Sequence, residues 1–396
     1  MFNGRRIVVV GGGLAGLRTC EALRAEGFDG ELELICSEPT PPYDRPPLSK
    51  SALLEAQDTT FDVDYAALGV ELRLGVRARA LDTAARAVHT DAGAHSYDAL
   101  VVATGAAPVA LPGAGRQLVL RTAADAERLR AELRPGARVV LVGAGWINAE
   151  IATTALSLGC SVTCVEAGSR PLAGPLGAQV AERLRSWWDG VDLRCGTGVG
   201  EVTTDGLTLD DGTALPADVV VTGIGVRPDV GWLTGSGLEI DRGVVVDESL
   251  RTADPAVFAV GDVAMRWSPR FGTRLGGEHW DEARTGPATV AGALLRPQSP
   301  PVFDPVPYFW SDQFGHKIQF VGHRSESDDM VFRDGADGKW GAAWFDAAGQ
   351  LTAHLSVDSP RHMVQARMAI DRRVVVDPDE IRDLSAPLQA PAPAAK

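Results

Sequence analysis

The feature that most constrains this chain is a short apolar run that breaks into glycines and occurs twice. Residues 6–10 (RIVVV) run into Gly11-Gly12-Gly13-Leu14-Ala15-Gly16. A helical stretch follows to Gly27, and residues 31–36 (ELELIC) alternate as a strand. Much later, residues 138–142 (RVVLV) meet Gly143-Ala144-Gly145-Trp146-Ile147-Asn148. A helix then runs to Gly159, and residues 161–166 (SVTCVE) form the next strand. Each is a βαβ unit of the usual size, so the pattern predicts two similar α/β domains in one chain.

The glycines have separate tasks in such a turn. Gly11 permits the tight bend, Gly13 lets the backbone approach a pyrophosphate, and Gly16 lets helix and strand pack closely. The helix start then offers free N–H groups and a positive dipole end to phosphates. An acidic residue is needed about 20 residues on, to accept from a ribose hydroxyl; Glu38 stands there. The second turn repeats this with one departure. Asn148 replaces the third glycine and adds a side chain where helix and strand usually touch, so binding requires the helix to shift outward slightly. Glu166 closes the second unit, and a carboxylate at that place favours NADH because it repels a 2′-phosphate.

The rest of the chain fits around these units. Residues 97–104 (YDALVVAT) read as a buried strand, echoed by residues 217–225 (ADVVVTGIG), and residues 255–263 (PAVFAVGDV) as a strand ending in Gly-Asp. From about residue 305 aromatic and β-branched runs predict a small antiparallel sheet, followed by a helix near 360–371. The tail APLQAPAPAAK is rich in Pro and Ala and reads as disordered.

The net charge is −14, and no run of five Lys/Arg occurs, which argues against nucleic acid and anionic membranes as the main partner. No apolar run reaches the roughly 18 residues of a membrane-spanning helix. The five cysteines (Cys20, Cys36, Cys160, Cys164, Cys195) include no CxxC, and none lies within residues 39–50. They read as reduced, buried thiols, and the seven histidines show no metal-ligand spacing. The expectation is a soluble, cytoplasmic protein without nucleic-acid, membrane or metal sites.

Pro42-Tyr43-Asp44-Arg45-Pro46-Pro47-Leu48-Ser49-Lys50 resembles the signature of the FAD-dependent ferredoxin reductases of oxygenase systems, the putidaredoxin reductase and biphenyl-dioxygenase reductase kind. Ala103-Thr104-Gly105, Leu120-Arg121-Thr122, Gly225-Val226-Arg227-Pro228, Gly261-Asp262-Val263, Glu278-His279-Trp280 and Pro307-Tyr308-Phe309-Trp310 match in the same order. The resemblance implies an FAD-binding domain over 1–113 and 240–305. An NADH-binding domain over 114–239 is inserted in it, and a C-terminal α+β domain over 306–384 precedes the tail 385–396.

The resemblance also implies site residues. FAD lies on Gly11, Gly13 and Gly16, with Glu38, Arg45, Ala103, Thr104, Arg121, Asp262, Glu278 and His279 around it. Lys50 stands beside the flavin and pairs with Glu150, while Trp280 and Trp310 flank flavin or nicotinamide. NADH takes Gly143, Gly145, Asn148, Glu150, Glu166 and Gly225. A cation beside a flavin stabilises the negative charge that reduction brings, and a carboxylate keeps that cation in place. Read alone, Lys50 is also a surface lysine, Glu150 a first-turn helix acid, and the two tryptophans core packing.

The implied activity is NADH-dependent reduction of a small acidic iron–sulfur ferredoxin that serves a P450 or Rieske-type oxygenase, by a monomer or homodimer. Arg73, Arg77 and Arg79, or Arg266, Arg270 and Arg274, are candidate docking faces. The alternatives are a flavin oxidoreductase using a small acceptor or oxygen, and a flavin-bound redox sensor with weak NADH turnover.

Overall fold

The computed structural model describes residues 5–388. The chain divides into two compact units. One comprises the residues up to Asp44, Asp58–Ala107 and Val226–Pro305; the other comprises Arg45–Gln57, Pro108–Gly225 and the residues from Val306 onward.

The first unit is built on a five-stranded parallel sheet. Its order is Val257–Ala259, Ala99–Val102, Arg6–Val10, Glu31–Ile35, Val70–Arg73. Ile7 to Val10 and Ala99 to Val102 are all buried, as strands of a parallel sheet covered on both faces must be; hence their unbroken apolar runs. Each fully buried Val, Leu or Ile here contributes about 1.5–3 kcal/mol from removal of apolar surface from water. The helix Leu14–Ala25 follows the first strand and ends where Gly27 takes φ +89°, a left-handed position that glycine adopts without a Cβ penalty.

The second unit repeats this frame. Its parallel sheet has the order Val191–Cys195, Ser161–Glu166, Arg138–Val142, Val219–Thr222. The helix Trp146–Ser157 follows the strand Arg138–Val142 and stops before Gly159, at φ +78°. Each unit also carries a three-stranded antiparallel sheet: Ala78–Asp82, Ala87–Thr90, Gly93–Ser96 in one, Val199–Thr203, Gly206–Leu209, Ala214–Pro216 in the other. Sequence alone does not reveal these sheets, because their strands are only three to five residues long and carry no continuous apolar run.

Within the second unit the C-terminal part is a five-stranded antiparallel sheet. Its order is Tyr308–Gln313, His316–Gly322, Leu351–Val357, Trp340–Phe345, Asp329–Asp334, with the helix Pro360–Asp371 after it, as the aromatic texture predicts. Its core includes Ile318, Phe320, Trp340, Trp344 and Leu355, and the same cluster takes in Leu172, Val180 and Leu184.

One expectation is corrected here. The tail does not lose order at residue 385, since Leu388 is 4% exposed. Arg333, wholly buried, donates to the carbonyl oxygens of Ile381, Leu384 and Ala386. Backbone acceptors, invisible to composition, hold this segment. Residues 389–396 lie outside the described residues.

Among the described residues no helix is long and apolar enough to cross a membrane. Among the described residues, too, no cluster of three or more His, Cys, Asp or Glu side chains is placed to hold a metal ion. All five cysteines are free thiols; four are buried and Cys195 is half-buried.

Candidate nucleotide and redox site

Both glycine turns end in bare helix starts. Gly13 caps the helix Leu14–Ala25 and Gly145 caps Trp146–Ser157; neither has a side-chain cap or an acidic residue in its first turn. The helix Ala123–Glu132, by contrast, is closed by a reciprocal box between Thr122 and Asp125. Helix N-terminal N–H groups without intrahelical partners need an acceptor, and an anion supplies it. The two bare ends therefore fit phosphate groups, and the boxed one does not.

The first turn is as tight as a backbone allows. Gly11 adopts φ +127°, and a Cβ there would stand 2.1 Å from the carbonyl oxygen of Ala103. A Cβ on Gly16 would stand 1.9 Å from the carbonyl oxygen of Gly11, whereas Gly13 has nothing within 4 Å of its own. Gly11 and Gly16 thus close the back of the turn, and Gly13 leaves its front open for a pyrophosphate. Ala103 is brought to the turn, and Gly261, before Asp262, abuts Ala15 at the helix start. Glu38 accepts from the Tyr43 hydroxyl at 2.6 Å. Thr104 donates to the carbonyl of Asp229.

Asp262 and Glu278 line a cavity of about 460 Å³, together with Arg227, Arg242 and Met265. His279 stands at the N-cap of the helix Trp280–Leu295. The Trp280 indole donates to Asp44 Oδ1 at 2.8 Å, and the Arg284 guanidinium lies over its ring. Asp44, the third residue of the nine-residue signature, therefore fixes Trp280. The sequence reading missed that role because 236 residues separate them.

The second turn departs from the first. Gly143, at φ +92°, abuts the carbonyl oxygen of Gly223, while Gly145 is nearly open. Asn148 is 0% exposed, and its Nδ2 donates to the carbonyl oxygens of Val142 and Gly143, both at 2.8 Å. Room for the carboxamide comes from Gly223, whose Cβ would fall 2.6 Å from it. Asn148 is thus hydrogen-bonded into the rear of the turn. Glu166 holds the front: its carboxylate accepts from the N–H of Ala144 at 2.7 Å and of Gly168 at 2.6 Å. Gly225, at φ +106°, has open space beside it.

Also in the second unit, Lys50 Nζ donates to Glu150 Oε2 at 2.9 Å, so the pair implied by resemblance is present. Glu150 is 4% exposed and also accepts from Ser49 and Ser311. Neither serine was expected, although Ser49 belongs to the nine-residue signature and Ser311 directly follows Trp310. Trp310 stacks on Tyr308 with ring centroids 5.8 Å apart and 20° between planes. Arg45 precedes the short helical turn Pro46–Ser49, and the Arg121 backbone N–H donates to Asp125.

One candidate docking face is corrected. Arg266 is 2% exposed, makes two hydrogen bonds to Glu282 at 3.1 and 3.0 Å, and reaches Asp304. It cannot meet a partner, and Arg270 donates its backbone N–H to the same Asp304. Arg73, Arg77 and Arg79 are exposed, but Arg73 is paired with Glu33 and Glu71, and Arg79 with Asp91. Surface pairs of this kind contribute little to stability and leave less net charge for steering.

Comparison with known proteins identifies the family to which this fold belongs. Residues 5–291 match the family model described as pyridine nucleotide-disulphide oxidoreductase, and residues 308–392 match the reductase C-terminal model. The chain is 35% identical over 406 residues to the probable ferredoxin reductase CtmF of Castellaniella defragrans, covering 97% of this chain and 98% of that one. It is also 35% identical over 396 residues to the ferredoxin–NAD(+) reductase subunit of the benzene 1,2-dioxygenase system of Pseudomonas putida, covering 96% and 95%. Among solved structures, Fdr9 is 60% identical with a TM-score of 0.96, covering 98% of this chain and 100% of that one. The covalent putidaredoxin reductase–putidaredoxin complex gives 32% and 0.89, with 98% of each chain covered. The chain belongs to the pyridine nucleotide-disulphide oxidoreductase family and carries the reductase C-terminal domain at its end.

Proposed function

We propose that this chain is an NADH-dependent FAD flavoprotein that passes electrons singly to a ferredoxin serving a P450 or Rieske-type oxygenase. The observation that carries the reading is the doubled nucleotide cradle: two bare helix starts on open glycine turns, each with a carboxylate at or just beyond the end of the next strand. Two such cradles suit two dinucleotides, FAD on the first and NADH on the second. Relatives across nearly the full length are named as ferredoxin–NAD(+) reductases of dioxygenase systems and as putidaredoxin reductase.

In this reading Gly11, Gly13 and Gly16 hold the FAD pyrophosphate, Glu38 its ribose, and Asp262 the chain between phosphate and ring. Arg45, Ala103, Thr104, Arg121, Glu278, His279, Trp280 and Trp310 complete the FAD contacts. Gly143, Gly145, Asn148, Glu150, Glu166 and Gly225 serve NADH, whose adenosine ribose hydroxyls Glu166 accepts. FAD, when bound, supplies the conversion of a two-electron hydride donor into single-electron delivery. The chain's own residues orient the two dinucleotides and fix charge: Lys50, beside the flavin and held by Glu150, presents a cation where reduction adds negative charge. The FAD domain would span 1–113 and 240–305, the NADH domain 114–239 and the C-terminal domain 306–384. The partner would be a small, acidic iron–sulfur ferredoxin in the cytoplasm, met by a monomer or homodimer.

The test is anaerobic stopped-flow reduction of the FAD-loaded protein by NADH and by NADPH, followed by turnover with a ferredoxin and with small acceptors. Fast bleaching of the flavin band by NADH and slow bleaching by NADPH is expected, with preference for the ferredoxin. Failure of both nucleotides to bleach a fully loaded protein would favour a redox sensor.

A further inference from the structure

Glu150 is buried deeply enough that its charge must be met by donors from the protein, since an unpaired buried carboxylate is expensive. Four donors meet it. Oε2 takes the Ser49 hydroxyl at 2.5 Å and Lys50 Nζ at 2.9 Å; Oε1 takes the Ser311 hydroxyl at 2.6 Å and the Asp312 N–H at 3.1 Å. Ser311 is itself 1% exposed and accepts from Gln313 Nε2 at 3.1 Å. With its oxygen thus engaged, its hydroxyl proton is directed at Glu150. A little further along, the Phe314 N–H donates to Thr153 Oγ1 at 2.8 Å. The strand Tyr308–Gln313 is therefore fastened to the helix Trp146–Ser157 along one polar seam, and Glu150 is its centre.

Lys50 has fewer constraints of its own. Among the described residues, its ammonium reaches, besides Glu150, only the carbonyl of Pro46, at 3.3 Å. Where the lysine points is thus set by where the Glu150 carboxylate is held, and half of that hold comes from the strand that carries Trp310.

We propose that Ser311 is a positioning residue: through Glu150 it fixes the Lys50 cation, and so sets how readily the flavin accepts electrons. This rests on the reading that Lys50 lies beside the flavin. Without the Ser311 hydroxyl, Oε1 keeps a single backbone donor, the carboxylate gains freedom to rotate, and Lys50 loses its fixed place.

The experiment is the two-electron midpoint potential of the FAD-loaded protein, by dye equilibration, in the parent and in Lys50→Met, Ser311→Ala, Ser311→Val and Ser311→Thr. Lys50→Met should move the reduction equilibrium tenfold or more against reduction, about 30 mV for a two-electron couple. Ser311→Ala and Ser311→Val should move it three- to tenfold the same way. Ser311→Thr should return it to within twofold of the parent. Thr and Val have nearly the same shape, so a packing defect would affect both, and only loss of the hydroxyl separates them. A shift with Lys50→Met and none with Ser311→Ala or Ser311→Val would reduce Ser311 to packing. No shift with Lys50→Met would overturn the placement of Lys50, and the inference with it.

Discussion

The turn at Gly11–Gly16 and the turn at Gly143–Asn148 stand on the same frame of strand, bend and bare helix start, yet their backs are closed differently. In the first, backbone meets backbone: Gly16 leaves no space against the Gly11 carbonyl. In the second, a wholly buried carboxamide sits between helix and strand, satisfies the Val142 and Gly143 carbonyls, and occupies room left by Gly223. Both keep what a phosphate needs, a left-handed glycine at the bend and unfilled N–H groups beyond it. The third glycine is therefore one way of packing the rear of such a turn, not a requirement of the cradle in front.

The sharpest test of that contrast is Gly16→Ala. A methyl group 1.9 Å from a backbone oxygen cannot be relieved by a side-chain rotation, so helix and strand must part. We expect a loss of about 3 kcal/mol or more, read as a lowered Tm and a protein purified largely without FAD. At the second turn Gly223→Ala meets a side chain instead of backbone, and should cost about 1–3 kcal/mol. Its cost should shrink in the double variant Asn148→Ala/Gly223→Ala, where the two are coupled. Additive losses in that cycle would mean that Gly223 and Asn148 are not a compensating pair.

Asn148→Ala alone removes both side-chain hydrogen bonds to the turn carbonyls and should cost about 1–2 kcal/mol. A severalfold rise in the NADH concentration needed for half-maximal flavin reduction should accompany it, with little change in the limiting rate. A tighter-binding variant would show that the carboxamide hinders the nucleotide.

The smallest effect concerns the thiols behind the turns. Cys36 abuts Gly12, and burial first, then the nearby Glu38, pushes its thiol up to about 12. Burial likewise raises Cys164, whose sulfur contacts the Gly143 carbonyl. A value raised on folding means stability that is complete below the unfolded thiol's value, near 8.5, and lost as pH rises toward the folded one. Neither thiol should react with an aqueous alkylating agent at pH 8, while half-buried Cys195 should react slowly; mass mapping of the native protein decides this.

The two strand–turn–helix units were legible in the sequence because each is local: apolar run, glycines, helix and acid lie within about 30 residues. Strands beside them were legible too, as apolar runs such as RVVLV or as alternating stretches such as ELELIC. Glu150's place beside Lys50 came only with the resemblance, and its serine partners did not come at all, because Ser49 and Ser311 lie 101 and 161 residues from it. The compensation between Asn148 and Gly223 was hidden likewise, so a substitution that fits read as a fault. Arg266 failed in the opposite direction: spacing alone placed it with Arg270 and Arg274 on a surface, whereas Glu282 and Asp304 draw it into the core.

Arg333 carries a consequence for how the protein is made. Its guanidinium is wholly buried, and burial lowers its pKa to about 10 against the opposing pull of the Asp383 carboxylate. Its partners are the His354 ring, 21 residues along, and backbone carbonyls 48 to 53 residues along. During synthesis the strand Asp329–Asp334 therefore emerges with a charge that nothing yet made can accept. The expected consequence is that the sheet closes fully only once the 381–386 segment has emerged, although domains generally fold in order from the N-terminus. Any shortened version ending before that segment would strand the arginine, so a stop codon there should yield a chain for the cell's proteases rather than a smaller enzyme.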